Sequence, residues 1–325
     1  MSNASYAIQM QDITKRFGST VANDKINLEL RRGEILALLG ENGSGKTTLM
    51  NMLGGIYFPD EGHIKINGEE VSITSPMDSF QYGIGMIHQH FKLVDVFSAT
   101  ENIILGIHEQ ERYNLKNAEK RVSEISERYG FEIDPQKKIY NMSVSEKQTV
   151  EIVKVLYRGA NILILDEPTA VLTPQETNKL FAVLRRMKAD GKSIIIITHK
   201  MHEVLAISDR VAILRKGRHV ATVETADTDE NQLTEMMVGK KISLNIERSE
   251  PKNPVDRLIV SDVQLSTPEG VKILDHISFT ARSGEILGIA GIAGSGQREL
   301  LEAIAGLQHL QSGSILYNNP KNGET

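Results

Sequence analysis

The chain has no cysteine and no tryptophan, and aromatic residues make up only 5% of its 325 positions. Without cysteine it can form neither disulfides nor thiolate metal sites, which suits a reducing compartment. No apolar run approaches the ~18–20 residues that a membrane-spanning helix requires. Runs such as Ile194 to Ile197 are the length of a strand. Residues 1–10 show neither the basic start nor the apolar block of a secretory signal. A large positive charge is also missing. The net charge is −5, so no global basic field gathers nucleic acid, and none is expected as a partner. What remains, 40% apolar and 24% charged residues, is an ordinary globular composition, long enough for one large domain and part of another.

An internal repeat organises the chain. Gly33-Glu34-Ile35-Leu36 recurs as Gly284-Glu285-Ile286-Leu287, and the glycine-rich run from Gly40 to Gly45 recurs from Gly291 to Gly296. The same spacing of 251 residues continues to Gly55 and Gly306, and to Gly62 and Gly313. The expected organisation is one complete unit over 1–240, a polar linker over 241–256, and the opening of a second unit over 257–325. Strand-like segments lie at Tyr6 to Met10 and Ile26 to Leu30. Buried strands are expected at Ile35 to Leu39, Ile162 to Leu165 and Ile194 to Ile197. Lys46 to Leu53 and Asn117 to Tyr129 read as helices. In the second unit, Ile286 to Ile289 reads as a strand without sheet neighbours, implying marginal stability or docking on the first unit. Alternating strands and helices make the fold class α/β.

Gly40-Glu41-Asn42-Gly43-Ser44-Gly45-Lys46-Thr47 fits the pattern G-x-x-x-x-G-K-[ST], between a buried strand and a helix. Glycines let such a loop curl so that its N–H groups face phosphate oxygens, and the helix presents its positive end to the same anion. Gly40, Asn42, Gly43, Ser44, Gly45, Lys46, Thr47 and Thr48 are therefore the expected ATP-binding residues. Lys46 is expected to reach the β- and γ-phosphates and the Thr47 hydroxyl to ligate Mg²⁺. The strand Ile162 to Leu165 ends in Asp166-Glu167, at the end of a parallel strand where such sheets bind ligands. Asp166 is the expected Mg²⁺ ligand, and Glu167 the group that orients and deprotonates a water.

The segment between these motifs narrows the reading. Asn141-Met142-Ser143-Val144-Ser145-Glu146-Lys147-Gln148 resembles the signature motif of the ABC ATPases. Gln89 resembles their Q-loop glutamine, His199 their switch histidine, and Phe17 is placed like the aromatic that stacks on adenine. The resemblance covers the whole first unit in family order. It implies a P-loop NTPase of ABC type, with an N-terminal antiparallel β subdomain and a helical subdomain at about 90–157. It also implies that Gln89 senses Mg²⁺ and the γ-phosphate and couples to a membrane subunit. His199 would stabilise charge developing on that phosphate. Ser143 and Ser145, in the signature, would meet nucleotide held by an opposing unit.

Two units per chain resemble the ATPases of sugar and nucleoside importers. Gly85 to Val94, Leu156 to Ala160 and Thr169 to Pro174 look most like the nucleoside branch, with ribose- and galactose-type importers as the near alternative. The implied partners are transmembrane permease subunits and, indirectly, an extracellular solute-binding protein. The implied place is the cytoplasmic face of the membrane. A soluble ABC ATPase and a non-hydrolysing nucleotide sensor stay open as alternatives.

The chain departs from the family pattern in related places. Gln297 and Arg298 stand where Lys46 and Thr47 stand in the first unit, and neither can do the same work on phosphate and Mg²⁺. Val144 and Ser145 replace both signature glycines, Glu146 replaces glutamine, and Thr173 stands where the D-loop usually has Asp. In the family, ATP lies between the phosphate loop of one unit and the signature of another. Both defects would thus meet in one weak composite site. The intact loop would face a signature lying past Thr325, unless two copies pair through their first units.

Overall fold

In the computed structural model, the residues described are 6–89, 91–107, 114–240, 253–267, 270–291 and 294–318. They divide into two compact units, 1–242 and 243–325. The expected linker lies outside the described residues from 241 to 252.

Unit 1 opens with a long hairpin, β1 (Tyr6–Phe17) and β2 (Thr20–Arg31), and β3 (Ile35–Leu39) then leads into α1 (Lys46–Leu53). The chain continues through β4 (Glu61–Ile66), β5 (Glu69–Val71), α2 (Pro76–Gln81) and β6 (Ile84–Ile87). Three helices follow: α3 (Ala99–Ile104), α4 (Leu115–Tyr129) and α5 (Val144–Tyr157). The unit ends with β7 (Ile162–Asp166), α6 (Pro174–Ala189), β8 (Ser193–Ile197), α7 (Met201–Ile207), β9 (Arg210–Arg215), β10 (Arg218–Glu224) and α8 (Glu230–Val238).

The core sheet has the order β10-β9-β3-β8-β7-β6, with β3, β6, β7, β8 and β9 parallel and β10 antiparallel on its edge. All residues of β3, β7 and β8 are buried, as their unbroken apolar runs require of strands covered on both faces. Alternate residues divide between the two faces. Leu36, Leu38, Ile164, Ile195 and Ile197 pack with Leu49, Met50, Met52 and Leu53 of α1 against the antiparallel sheet β2-β1-β4-β5. Leu163, Leu165, Ile194 and Ile196 pack on Leu180, Phe181, Leu184 and Met187 of α6. Each such fully buried aliphatic side chain contributes about 1.5–3 kcal/mol. Helices α3, α4 and α5 share their own core around Ile103, Val122, Ile139, Val150 and Val153. α4 begins two residues earlier than its apolar period suggests, because Asn114 caps it by accepting from the Asn117 N–H.

Unit 2 contains β11 (Asp256–Ser266), β12 (Lys272–Arg282), α9 (Gln297–Ile304) and β13 (Ser312–Tyr317), with the antiparallel order β12-β11-β13. The strand expected at Ile286 to Ile289 is absent: the segment has no regular secondary structure, and Ile286 is 79% exposed. Its counterpart in unit 1, β3, forms because β8 and β9 flank it. Among the described residues of unit 2 no parallel partner is available, so an apolar run alone does not make a strand.

Candidate nucleotide-binding site

The turn from β3 into α1 builds the floor of a cleft. Gly43 and Gly45 adopt positive φ, 79° and 95°, a conformation that side chains resist. At Gly45 there is also no room, since a Cβ would lie 2.4 Å from the Ala22 carbonyl oxygen. The curl leaves the first-turn N–H groups of Lys46, Thr47 and Thr48 without partners inside α1, at the positive end of its dipole. Lys46 is 6% exposed, and its Nζ donates to the Gly40 and Glu41 carbonyls at 2.7 and 2.9 Å. Burial pushes the pKa of Lys46 down, opposed by the nearby carboxylates of Glu167 and Asp166.

Asp166 ends β7, 8% exposed, and its Oδ2 accepts from the Thr47 hydroxyl at 3.5 Å. Burial raises its pKa, as does the charge of Glu167, while Lys46 and Thr47 oppose the shift. Glu167 turns the chain out of the sheet with φ of 47°, and its N–H donates to the Ile197 carbonyl at 2.9 Å. Its side chain is held from both sides: Oε2 accepts from Gln89 Nε2 at 3.3 Å, and Oε1 lies 3.0 Å from His199 Nδ1. Three strand ends, β6, β7 and β8, thus bring Gln89, Glu167 and His199 together.

Asn42, Gly43, Ser44, Gly45, Lys46, Thr47, Thr48, Gln89, Asp166, Glu167 and His199 all line this one cleft. A hard, oxygen-seeking cation fits the Thr47 hydroxyl and Asp166 carboxylate, provided phosphate and water complete its shell. Among the described residues no group of three or more His, Cys, Asp or Glu is gathered for a metal. Ser44 Oγ is buried and has no protein partner among them, as suits a group left for an anion.

Phe17 is not among the residues that line the cleft. It is 44% exposed and meets Tyr57 edge-on, with ring centroids 5.1 Å apart. Ser143 and Ser145 line a separate groove beside Glu176. Ser143 caps α5: its Oγ accepts from the Glu146 N–H at 3.3 Å, and its own N–H donates to the Glu146 carboxylate at 2.8 Å. Glu146 thus has a local task in place of the family's glutamine. Thr173 likewise caps α6 in a reciprocal pair with Glu176, which accounts for a threonine there.

One wall of the cleft was not apparent from sequence. Thr20, Val21, Ala22, Lys216 and Gly217 also line it. The Asn23 amide donates to the Gly45 carbonyl at 3.2 Å, and the Gly217 N–H donates to the Ser44 carbonyl at 3.2 Å. The β1–β2 and β9–β10 hairpins therefore brace the phosphate loop from positions no motif marks.

Comparison with known proteins agrees with this geometry. The family model described as ABC transporter matches residues 23–170 and 274–324, more than half of the chain. The chain belongs to the ABC transporter family. Among ABC relatives, the nucleoside import ATP-binding protein NupA of Lactococcus lactis subsp. cremoris is 49% identical over 316 residues, covering 96% of this chain and 62% of NupA. The ribose import ATP-binding protein RbsA 1 of Streptomyces avermitilis is 40% identical over 318 residues, covering 97% of this chain and 60% of RbsA 1. The chain thus spans about three-fifths of the length of these relatives. Among solved structures, cbiO1 from Clostridium perfringens, part of the ABC transporter complex cbiONQ, superposes with a TM-score of 0.63 at 27% identity. That match covers 72% of this chain and 95% of cbiO1. The α/β fold is therefore that of an ABC ATPase cassette.

Proposed function

We propose that this chain is the ATP-binding and ATP-hydrolysing subunit of an importer, acting with Mg²⁺ through a partner membrane permease. The observation that carries the reading is the Glu167 carboxylate, clamped between Gln89 and His199 beside Lys46, Thr47 and Asp166. Fixed on both sides, Glu167 can present its remaining lone pairs to a water and accept its proton. Lys46 and the amides at the start of α1 hold and neutralise phosphate oxygens. Thr47 and Asp166 would hold Mg²⁺, which supplies Lewis-acid polarisation of those oxygens. His199 and Gln89 orient Glu167 and close the same cleft.

The import reading draws on the relatives' names. The greater identity to the nucleoside-import protein than to the ribose-import protein, 49% against 40%, supports a nucleoside as solute, with a simple sugar as the alternative. In this reading the chain sits on the cytoplasmic face, bound to permease subunits that an extracellular solute-binding protein serves. Among its described residues no helix is long and apolar enough to cross a membrane.

Glu167→Gln tests the chemistry. It keeps the shape and the neighbours, so ATP affinity should stay within about threefold while turnover falls at least ~10²-fold. Unchanged turnover would remove Glu167 as the base. A second measurement tests the assembly. If the intact loop must borrow Ser143 from a second copy, specific ATPase activity rises with protein concentration; fast turnover independent of concentration overturns the homodimer reading.

A further inference from the structure

Behind Glu167 and His199 lies a layer of buried polar side chains. Glu203, in the first turn of α7, is 3% exposed. Its Oε2 accepts from the Thr169 hydroxyl at 2.5 Å and from the Thr198 hydroxyl at 3.5 Å, and its Oε1 lies 3.0 Å from Lys200 Nζ. Lys200 closes the network. Its Nζ also donates to the Thr169 carbonyl at 2.8 Å, and its N–H donates to Thr198 Oγ1 at 3.1 Å. Thr169 and Thr198 are 1% and 2% exposed.

The positions of these groups matter more than their number. Thr169 lies two residues beyond Glu167, while Thr198 and Lys200 flank His199. The loops carrying Glu167 and His199 leave neighbouring strands and are joined through the main chain by the Glu167 N–H to Ile197 carbonyl bond. Glu167 also holds a left-handed backbone conformation, which persists only where its surroundings over-determine it. A buried carboxylate is a poor choice for stability alone, because an apolar side chain of similar volume fills such space without desolvating a charge. Its advantage is directional: it fixes three donors from two loops around one point.

We propose that Glu203 is a positioning residue for hydrolysis, holding the Glu167 and His199 loops in the register that puts His199 against the Glu167 carboxylate. The proposal rests on the hydrolytic reading of the site. In the full chain, Glu203→Ala lowers kcat about 10²-fold, while the KM for ATP stays within about twofold because the phosphate loop is untouched. Glu203→Gln, which keeps an acceptor in place, restores most of the loss. The deciding comparison is a cycle with His199→Ala. In that background Glu203→Ala has no further effect, because there is no histidine left to position. If instead the same factor is lost in both backgrounds, Glu203 is merely structural and the proposal is overturned. Thr169→Val, which removes one donor and keeps the shape, runs the same cycle should Glu203→Ala fail to fold. If the chain shows no turnover at any protein concentration, the hydrolytic reading fails for it, and positioning is then read from the ¹⁵N resonances of the His199 ring. These shift in Glu203→Ala as they do in Glu167→Gln; a His199 signal unmoved by Glu203→Ala overturns the proposal.

Discussion

The two left-handed glycines of the phosphate loop allow a controlled test. Gly43 and Gly45 have φ of 79° and 95°, so alanine at either meets the same backbone penalty, about 1–2 kcal/mol. They differ in space. Around Gly43 a Cβ would meet nothing within 4 Å, whereas at Gly45 it would lie 2.4 Å from the Ala22 carbonyl oxygen and 2.6 Å from the Asn23 amide nitrogen. The carbonyl is backbone and cannot swing aside, so an overpacking cost of about 1–3 kcal/mol is added at Gly45 alone. The expected totals are about 1.5 kcal/mol for Gly43→Ala and about 3.5 kcal/mol for Gly45→Ala. At ~2–4 °C per kcal/mol for a unit of this size, Tm should fall by about 3–6 °C and 7–14 °C respectively. Differential scanning calorimetry without nucleotide measures both. A titration with a fluorescent ATP analogue should show the greater loss for Gly45→Ala, whose Cβ displaces the hairpin bracing the start of α1. Equal losses of Tm would refute the reasoning, because they would mean that the close approach of Ala22 to Gly45 does not exist in solution.

Other predictions concern charge. Lys46→Met should weaken ATP binding about 10–100-fold, the value of one charge-assisted phosphate contact, and unchanged affinity in an equilibrium titration would exclude Lys46 from the phosphates. Burial raises the Asp166 pKa above its ordinary 3.8, so the folded chain holds that proton more tightly than the unfolded chain does. The resulting stability is fully present below 3.8 and is lost as pH rises through the raised value. Asp166→Asn removes this dependence. In Mg²⁺-free buffer its Tm should therefore gain on the parent protein's as pH rises above 3.8, and a difference that stays flat with pH would contradict the assigned burial effect.

The parts of this molecule legible in its sequence are those where local chemistry and fold demand the same residues. The phosphate loop is one: glycines, a lysine and a threonine must stand at fixed spacing between an apolar strand and a helix, and they do. Asp166 and Glu167 were readable because their strand is unbroken and buried, which puts its end beside that loop. Gln89 and His199 became legible through family order, since neither has a local pattern of its own. What stayed hidden was brought in from far along the chain. Ala22 and Asn23 reach the loop through the β1–β2 hairpin, and Gly217 through the β9–β10 hairpin, and no periodicity marks such contacts. Thr173 reads as a missing family aspartate until its reciprocal bonds with Glu176 show a helix cap. The segment Ile286 to Ile289 carries a strand's composition, yet forms none without neighbours to receive its hydrogen bonds.

The backbone of Glu167 has a practical consequence for anyone altering this protein. Its φ of 47° is a conformation that glycine or asparagine adopts at less cost. A selection for thermal stability alone, whether from consensus substitutions or random libraries, should therefore drift toward those residues at position 167. Each such gain would discard the carboxylate that Gln89 and His199 hold. Engineering of this cassette should fix that position first and screen turnover beside melting temperature, because there the two objectives point in opposite directions.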